Sequence, residues 1–140
     1  MKIKHSDYLK YEIPSGWVVD ESDDECISIY DNDGKGALTL SFYTIMELYN
    51  NSIDEHISVM AKDFIDKNHV ELKDSIFIID GTKKDKTVLY GTGKTEDGWF
   101  IKLWIAAKFP KAILATYHSP KKTSEVKIVD KIIDSFKFIF

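Results

Sequence analysis

Most of the chain alternates between apolar and polar residues with a period of two, and only two stretches break into a helical period. In "YLKYEIP", Leu9, Tyr11 and Ile13 fall on one side and Lys10 and Glu12 on the other, which predicts a half-buried strand that ends at Pro14–Gly16. A short strand "WVVD", an acidic loop from Glu21 to Glu25 and a strand "CISIY" follow. Next comes "ALTLSFY", where Leu38, Leu40 and Phe42 alternate with Thr39 and Ser41. Ile53, Ile57, Met60, Ala61, Phe64 and Ile65 then recur at three- and four-residue steps and predict an amphipathic helix, with Ser52 and Glu55 spaced as a capping box. After Asn68 the strand period returns in "IFII", "TVLYGTG", "GWFIKLWIAAK" and "AILATYH". A second helix is expected over about 123–135 on Val126, Val129, Ile132, Ile133 and Phe136, and "FKFIF" closes the chain as an edge strand.

Strands grouped in two blocks, each followed by a helix, predict an α+β protein: an antiparallel sheet of about 6–8 strands carrying two main helices. A chain of 140 residues without repeats or linkers is expected to form one domain over 1–140. The apolar runs are too short for a membrane span, and the N-terminal stretch lacks the apolar core of a secretory signal. Cys26 is the one cysteine, without a disulfide partner or zinc-ligand spacing, so a cytoplasmic setting is expected. All 19 basic side chains are lysine. Without arginine's planar fork, and with a net charge of −4, nucleic-acid recognition is not expected. Lysines at 83, 84, 86, 121 and 122 are assigned to solvated turns.

Three motifs invite chemistry and fail on spacing. "YDNDGKG", Tyr30 to Gly36, has the look of a calcium loop. Setting Gly34 at position 6 puts Ile29 at position 1 and Leu40 at position 12, where oxygen ligands belong. Asn, Asp and Gly tolerate positive φ, so the stretch is expected to be a hairpin turn. "GTGKT", Gly91 to Thr95, lacks the earlier glycine and the following helix of a phosphate loop. His5, His56, His69 and His118 share no ligand spacing. His56 is expected to be a half-buried, hydrogen-bonded imidazole, and His69 to cap the end of its helix. No metal or cofactor is expected.

The block "YEIPSGWVVDE…ISIYDNDGKGALTLSFY", a helix, "GWFIKLWIAAK…AILATYHS" and a closing helix resemble the PsbP-like superfamily, whose fold is shared with the Ran-binding protein Mog. The likeness is greatest to short bacterial members of unknown function. The resemblance covers nearly the whole chain and implies an α/β/α layered sandwich. It implies little about activity, because sites are grafted on folds.

One surface stands out as a candidate site. In "WFIKLWIAAK", Trp99, Ile101, Leu103, Ile105 and Ala107 form one face, expected to be core, and Phe100, Lys102, Trp104 and Ala106 the other. With "FPK" as the next turn, Trp104 meets Thr116 and Lys102 meets His118. With "ED" or "DG" as the preceding turn, Gly91 and Gly93 join that same face. The expected binding site is therefore Gly91, Gly93, Phe100, Lys102, Trp104, Thr116 and His118, a hollow with aromatic walls. The competing expectation is ordinary packing beneath a helix. The leading functional expectation is a non-catalytic cytosolic protein-binding module with an adaptor, chaperone or immunity-type role. Its expected partner is another protein, and it is expected to be a monomer or weak homo-oligomer. The alternatives are a small-ligand or lipid-binding domain, and an enzyme whose active site no motif reveals.

Overall fold

The computed structural model describes residues 1–5, 7–22, 26–73, 78–80 and 86–140. The strands are β1 (Lys2–His5), β2 (Leu9–Glu12), β3 (Val18–Asp20), β4 (Cys26–Tyr30), β5 (Ala37–Thr44), β6 (Glu71–Leu72), β7 (Ile78–Asp80), β8 (Thr87–Lys94), β9 (Phe100–Lys108), β10 (Lys111–Ser119) and β11 (Lys137–Phe138). The helices are α1 (Ile53–Lys67) and α2 (Glu125–Asp134). The main sheet runs β3-β4-β5-β10-β9-β8-β6, with β7 also on β8, and a small sheet runs β1-β2-β11. Every pairing is antiparallel. The expected α+β architecture is thus present. Strands β1 and β6 are additions to it. The expected strand over 76–79 lies partly outside the described residues, as do part of the acidic loop and the lysines at 83 and 84.

The helices sit on opposite faces of the main sheet. On one face, α1 presents Ile57 and Ala61 to Leu89, Leu103, Ile105 and Leu114. On the other, Val126, Val129, Ile132 and Ile133 of α2 pack with the apolar side of the small sheet, Leu9, Tyr11 and Phe138, over Leu38, Leu40, Trp104, Ala115 and Tyr117. Both faces of β9 are consequently buried at Leu103–Ala107. Residues of either parity in that strand must be apolar, which its run of consecutive apolar residues supplies.

The heptapeptide at 30–36 links β4 to β5 as a hairpin. The Asp31 carbonyl accepts from the Gly34 N–H at 2.8 Å, and its carboxylate accepts from the Asp33 N–H at 3.2 Å. From the first turn of α2, Glu125 reaches this loop: its Oε1 accepts from the Tyr117 hydroxyl at 2.9 Å and from the Gly36 N–H at 3.3 Å. The calcium-like spelling is turn chemistry, carried by the Asp31 hydrogen bonds and not by the expected positive φ, which no residue of 30–36 takes, and the neighbouring carboxylate ties the turn to α2. "GTGKT" likewise runs along β8 into the next hairpin, without a helix behind it.

At α1, Ser52 accepts from the Glu55 N–H at 3.2 Å as expected, but Glu55's own carboxylate accepts from Asn50. Asn68, and not His69, caps the far end, its Nδ2 donating to the Phe64 carbonyl at 2.9 Å. His69 takes the left-handed φ of 51° that turns the chain out of the helix. Lys86, expected in a solvated turn, is instead buried at the end of α2, where its Nζ donates to the carbonyls of Asp134 (2.9 Å) and Phe136 (2.5 Å), a cation where the helix leaves acceptors.

Tyr11 packs edge-on to Phe136, and its buried hydroxyl has no hydrogen-bond partner among the described residues. Burial, with a smaller push from the Glu21 carboxylate, raises its pKa from 10.0 to about 12. The folded state holds this proton more tightly than the unfolded chain. Its contribution is therefore flat below pH 10, and stability falls as pH rises from 10.0 towards about 12. Tyr11→Phe removes a desolvated group and is expected to raise stability at pH 7 by about 1 kcal/mol and to flatten the alkaline loss. Urea unfolding at pH 7 and at alkaline pH measures both.

Candidate functional site

The seven residues expected to share one face are divided between two. In β9–β10 the pairs are Trp104↔Ala115, Lys102↔Tyr117, Leu103↔Thr116 and Ile101↔His118. In β8–β9 they are Tyr90↔Trp104, Gly91↔Leu103 and Gly93↔Ile101. Both hairpins are thus offset by one residue from the expected alignment, and an offset of one carries every side chain to the opposite face. The causes lie in the turns. Lys108 pairs with Lys111 across a two-residue loop, Phe109–Pro110, where three were expected. Lys94 pairs with Phe100 and Thr95 bonds to Trp99, leaving the three residues Glu96, Asp97 and Gly98 as the loop, with Gly98 at φ 82°. That is the left-handed position a three-residue hairpin loop needs.

Phe100, Lys102 and Trp104 lie on the α2 face. Lys102 Nζ pairs with Asp130 of α2 at 2.7 Å, and the Trp104 indole N–H donates to the same carboxylate oxygen at 3.2 Å. The ammonium also sits 5.0 Å from the ring centroids of Tyr90 and Trp104. This polar cluster seats the helix. The cleft remaining beside it, lined by Val88, Tyr90, Lys102, Trp104, Asp130 and Ile133, is ≈ 280 Å³. Trp104 is 3% exposed and forms a floor under α2, the competing expectation of packing beneath a helix.

Gly91, Gly93, Thr116 and His118 stay together on the α1 face. Gly93 is no hollow: a Cβ there would stand 2.4 Å from the Glu71 carbonyl of β6, so its missing side chain admits the neighbouring strand. Thr116 and His118 are half-buried and lie outside the cluster on which α1 packs, whose nearest member on β10 is Leu114. The register continues the row outward as Thr116↔Thr39, Thr39↔Ser28 and Ser28↔Asp20, with Ser41 opposite Cys26 and Leu114 beside it. Ser28, Thr39, Ser41, Thr116 and His118 are all half-buried. Trp99 stands at the end of this strip, its ring 5.8 Å from that of His118 and 40% exposed, which departs from the expected core position. At the opposite end Tyr43 is 45% exposed. Beside Tyr43, an open hollow of ≈ 350 Å³ separates α1 from β5 and β10, lined among others by His56, Met60, Asp63, Phe64 and Leu114.

Ser28, Thr39 and Ser41 fall on one side of their strands by the period-2 hydroxyls of "CISIY" and "ALTLSFY", and the β4–β5–β10 register joins that side to Thr116 and His118. His56 is engaged as expected, its Nδ1 accepting from the Tyr49 N–H at 3.1 Å. His56 and Asp63 lie two helical turns apart on α1, about 10 Å along its axis, too far for a hydrogen-bonded acid–base pair. Among the described residues no group of three or more His, Cys, Asp or Glu side chains could hold a metal ion.

No family model and no curated protein matches the chain. Solved structures do. Cyanobacterial PsbP (CyanoP) from Synechocystis sp. PCC 6803 aligns with a TM-score of 0.69 at 12% identity, over 99% of this chain and 92% of that one. A Bacteroides thetaiotaomicron protein aligns with a TM-score of 0.65 at 16% identity, over 94% of this chain; the chain spans only 45% of that protein. The Ran-binding protein Mog1p from Saccharomyces cerevisiae aligns with a TM-score of 0.56 at 10% identity, over 91% and 88% of the two chains. The order of strands, the helix on each face and these alignments together identify the architecture as the PsbP-like fold.

Proposed function

We propose that this chain is a non-catalytic protein-binding module that engages its partner through the uncovered half of the α1 face. The observation that carries the reading is the incomplete coverage of that face: α1 packs on β8, β9 and Leu114 of β10, while Ser28, Thr39, Ser41, Thr116 and His118 are only half-buried and form a hydroxyl-bearing strip between exposed Trp99 and Tyr43. Short hydroxyl side chains with tryptophan and tyrosine at the margins combine adaptable hydrogen bonds with rigid apolar anchors, the mixture that binding surfaces use. One fold neighbour is named for binding another protein, which agrees with this reading. A cytoplasmic adaptor, chaperone or immunity-type role belongs to the same proposal. Among the described residues, no helix is long and apolar enough to cross a membrane. The small-ligand alternative at the expected Trp104 hollow has less support, since the cleft there is ≈ 280 Å³ and spanned by an ion pair, below the roughly 300–1,000 Å³ of ligand pockets; the ≈ 350 Å³ hollow beside Tyr43 falls inside that range and adjoins the strip.

The test is affinity capture from native cell extract with wild type and a Trp99→Ala, His118→Ala double variant. Loss of a hot-spot tryptophan is expected to weaken partner binding about 30-fold while the thermal midpoint stays near that of wild type. A specific partner retained equally by both proteins rejects the site.

A further inference from the structure

A second surface of opposite character lies on the outer side of the small sheet. Lys4 pairs directly with Lys10, and Lys10 directly with Lys137, so three ammonium groups form one row across β1, β2 and β11. Lys2 stands beside the row, opposite Glu12. All four lysines are exposed, and none makes an ion pair among the described residues. They border a groove of ≈ 610 Å³ whose far wall includes Ser135 at the end of α2. Four lysines and one glutamate give this groove a net positive charge on a chain whose formal charge is −4.

Like charges directly opposite one another destabilise an antiparallel pair, and this row contains two such pairs. Lysine on an edge strand commonly blocks sheet-to-sheet association, which accounts for Lys4 and Lys137. It does not account for Lys10, because β2 is the central strand of its sheet. We infer that the groove is a docking site for an acidic polypeptide segment, whose carboxylates neutralise the Lys4–Lys10–Lys137 row. The row spans two inter-strand spacings, about 10 Å, the length of three residues of extended chain, so closely spaced acidic residues match it. The absence of arginine and the overall negative charge disfavour a nucleic acid at the same place. The surface is separate from the hydroxyl strip and does not depend on it.

Fluorescence anisotropy with a labelled ten-residue peptide alternating Glu and Ser tests the assignment at low and high salt. A peptide alternating Gln and Ser, a single-stranded oligonucleotide and phosphatidylserine vesicles serve as competing probes. The acidic peptide is expected to bind in preference to the others and to weaken as salt rises. Lys10→Glu is expected to weaken it about fivefold and the triple variant Lys4→Glu, Lys10→Glu, Lys137→Glu about tenfold or more. Lys10→Glu should also raise the thermal midpoint of the free protein, because it places an acid between two lysines. Trp99→Ala, His118→Ala should leave peptide binding unchanged. Absence of peptide binding at low salt, equal binding by the lysine variants, tighter binding of the oligonucleotide or vesicle, or a lower midpoint for Lys10→Glu would each overturn the inference.

Discussion

Trp104→Ala is expected to lower the free energy of unfolding by about 3–5 kcal/mol, the range for deleting a large buried aromatic side chain. The indole is 3% exposed, lies against the Lys102 ammonium and donates to Asp130. Removing it enlarges the ≈ 280 Å³ cleft under α2 and takes one of the two donors from the Asp130 carboxylate oxygen. Repacking from β9 and β10 is limited, because Ala106 and Ala115 beside it have no further side chain to move into the space. Chemical unfolding monitored by circular dichroism measures the change. The Trp99→Ala counterpart, on the opposite face and 40% exposed, should stay within about 0.5–1 kcal/mol of wild type. Equal losses for the two tryptophans would contradict the seating of α2 on the Trp104 face.

Gly93→Ala is expected to cost about 3 kcal/mol, near the upper end for overpacking a well-packed site. The new Cβ would stand 2.4 Å from the Glu71 carbonyl oxygen and 3.1 Å from the Leu72 Cα, both backbone atoms of β6. A side chain could rotate away, whereas a paired strand has to separate. Local opening should accompany the loss, since the Lys73 N–H donates to the Thr92 carbonyl at 2.9 Å just beyond β6. Native-state hydrogen exchange at Lys73 gives the readout. Preserved protection with unchanged stability would mean that Gly93 does not mediate close strand approach and would restore its reading as part of a hollow.

The two results bear on the same residues that alternation along the chain first brought together. Alternation assigned each of Gly91, Trp104 and Thr116 to a side of its own strand. It left open which side of one strand continues which side of the next, because that depends on loop length. Gly98 at φ 82° makes the loop before β9 three residues long, and the loop after it closes over Phe109–Pro110. Each differs by one residue from the alternatives considered, and the period of two turns that difference into a change of face. The two offsets kept Gly91, Gly93, Thr116 and His118 in company while removing all four from Trp104. The lysine row is not legible in the sequence for a different reason. Lys4, Lys10 and Lys137 are far apart in sequence, and β1 and β11 are short strands whose pairing on β2 no local pattern specifies.

From the residues alone came the antiparallel α+β class, both helices and the turn identity of "YDNDGKG". These rest on local periodicity and backbone preference, which are properties of short segments. Tertiary structure decided that α1 and α2 take opposite faces, that Trp104 is a floor and not a wall, and that the lysines meet. Those outcomes depend on strand register and on which elements close over the sheet, and such long-range choices are set by the packing of the whole chain.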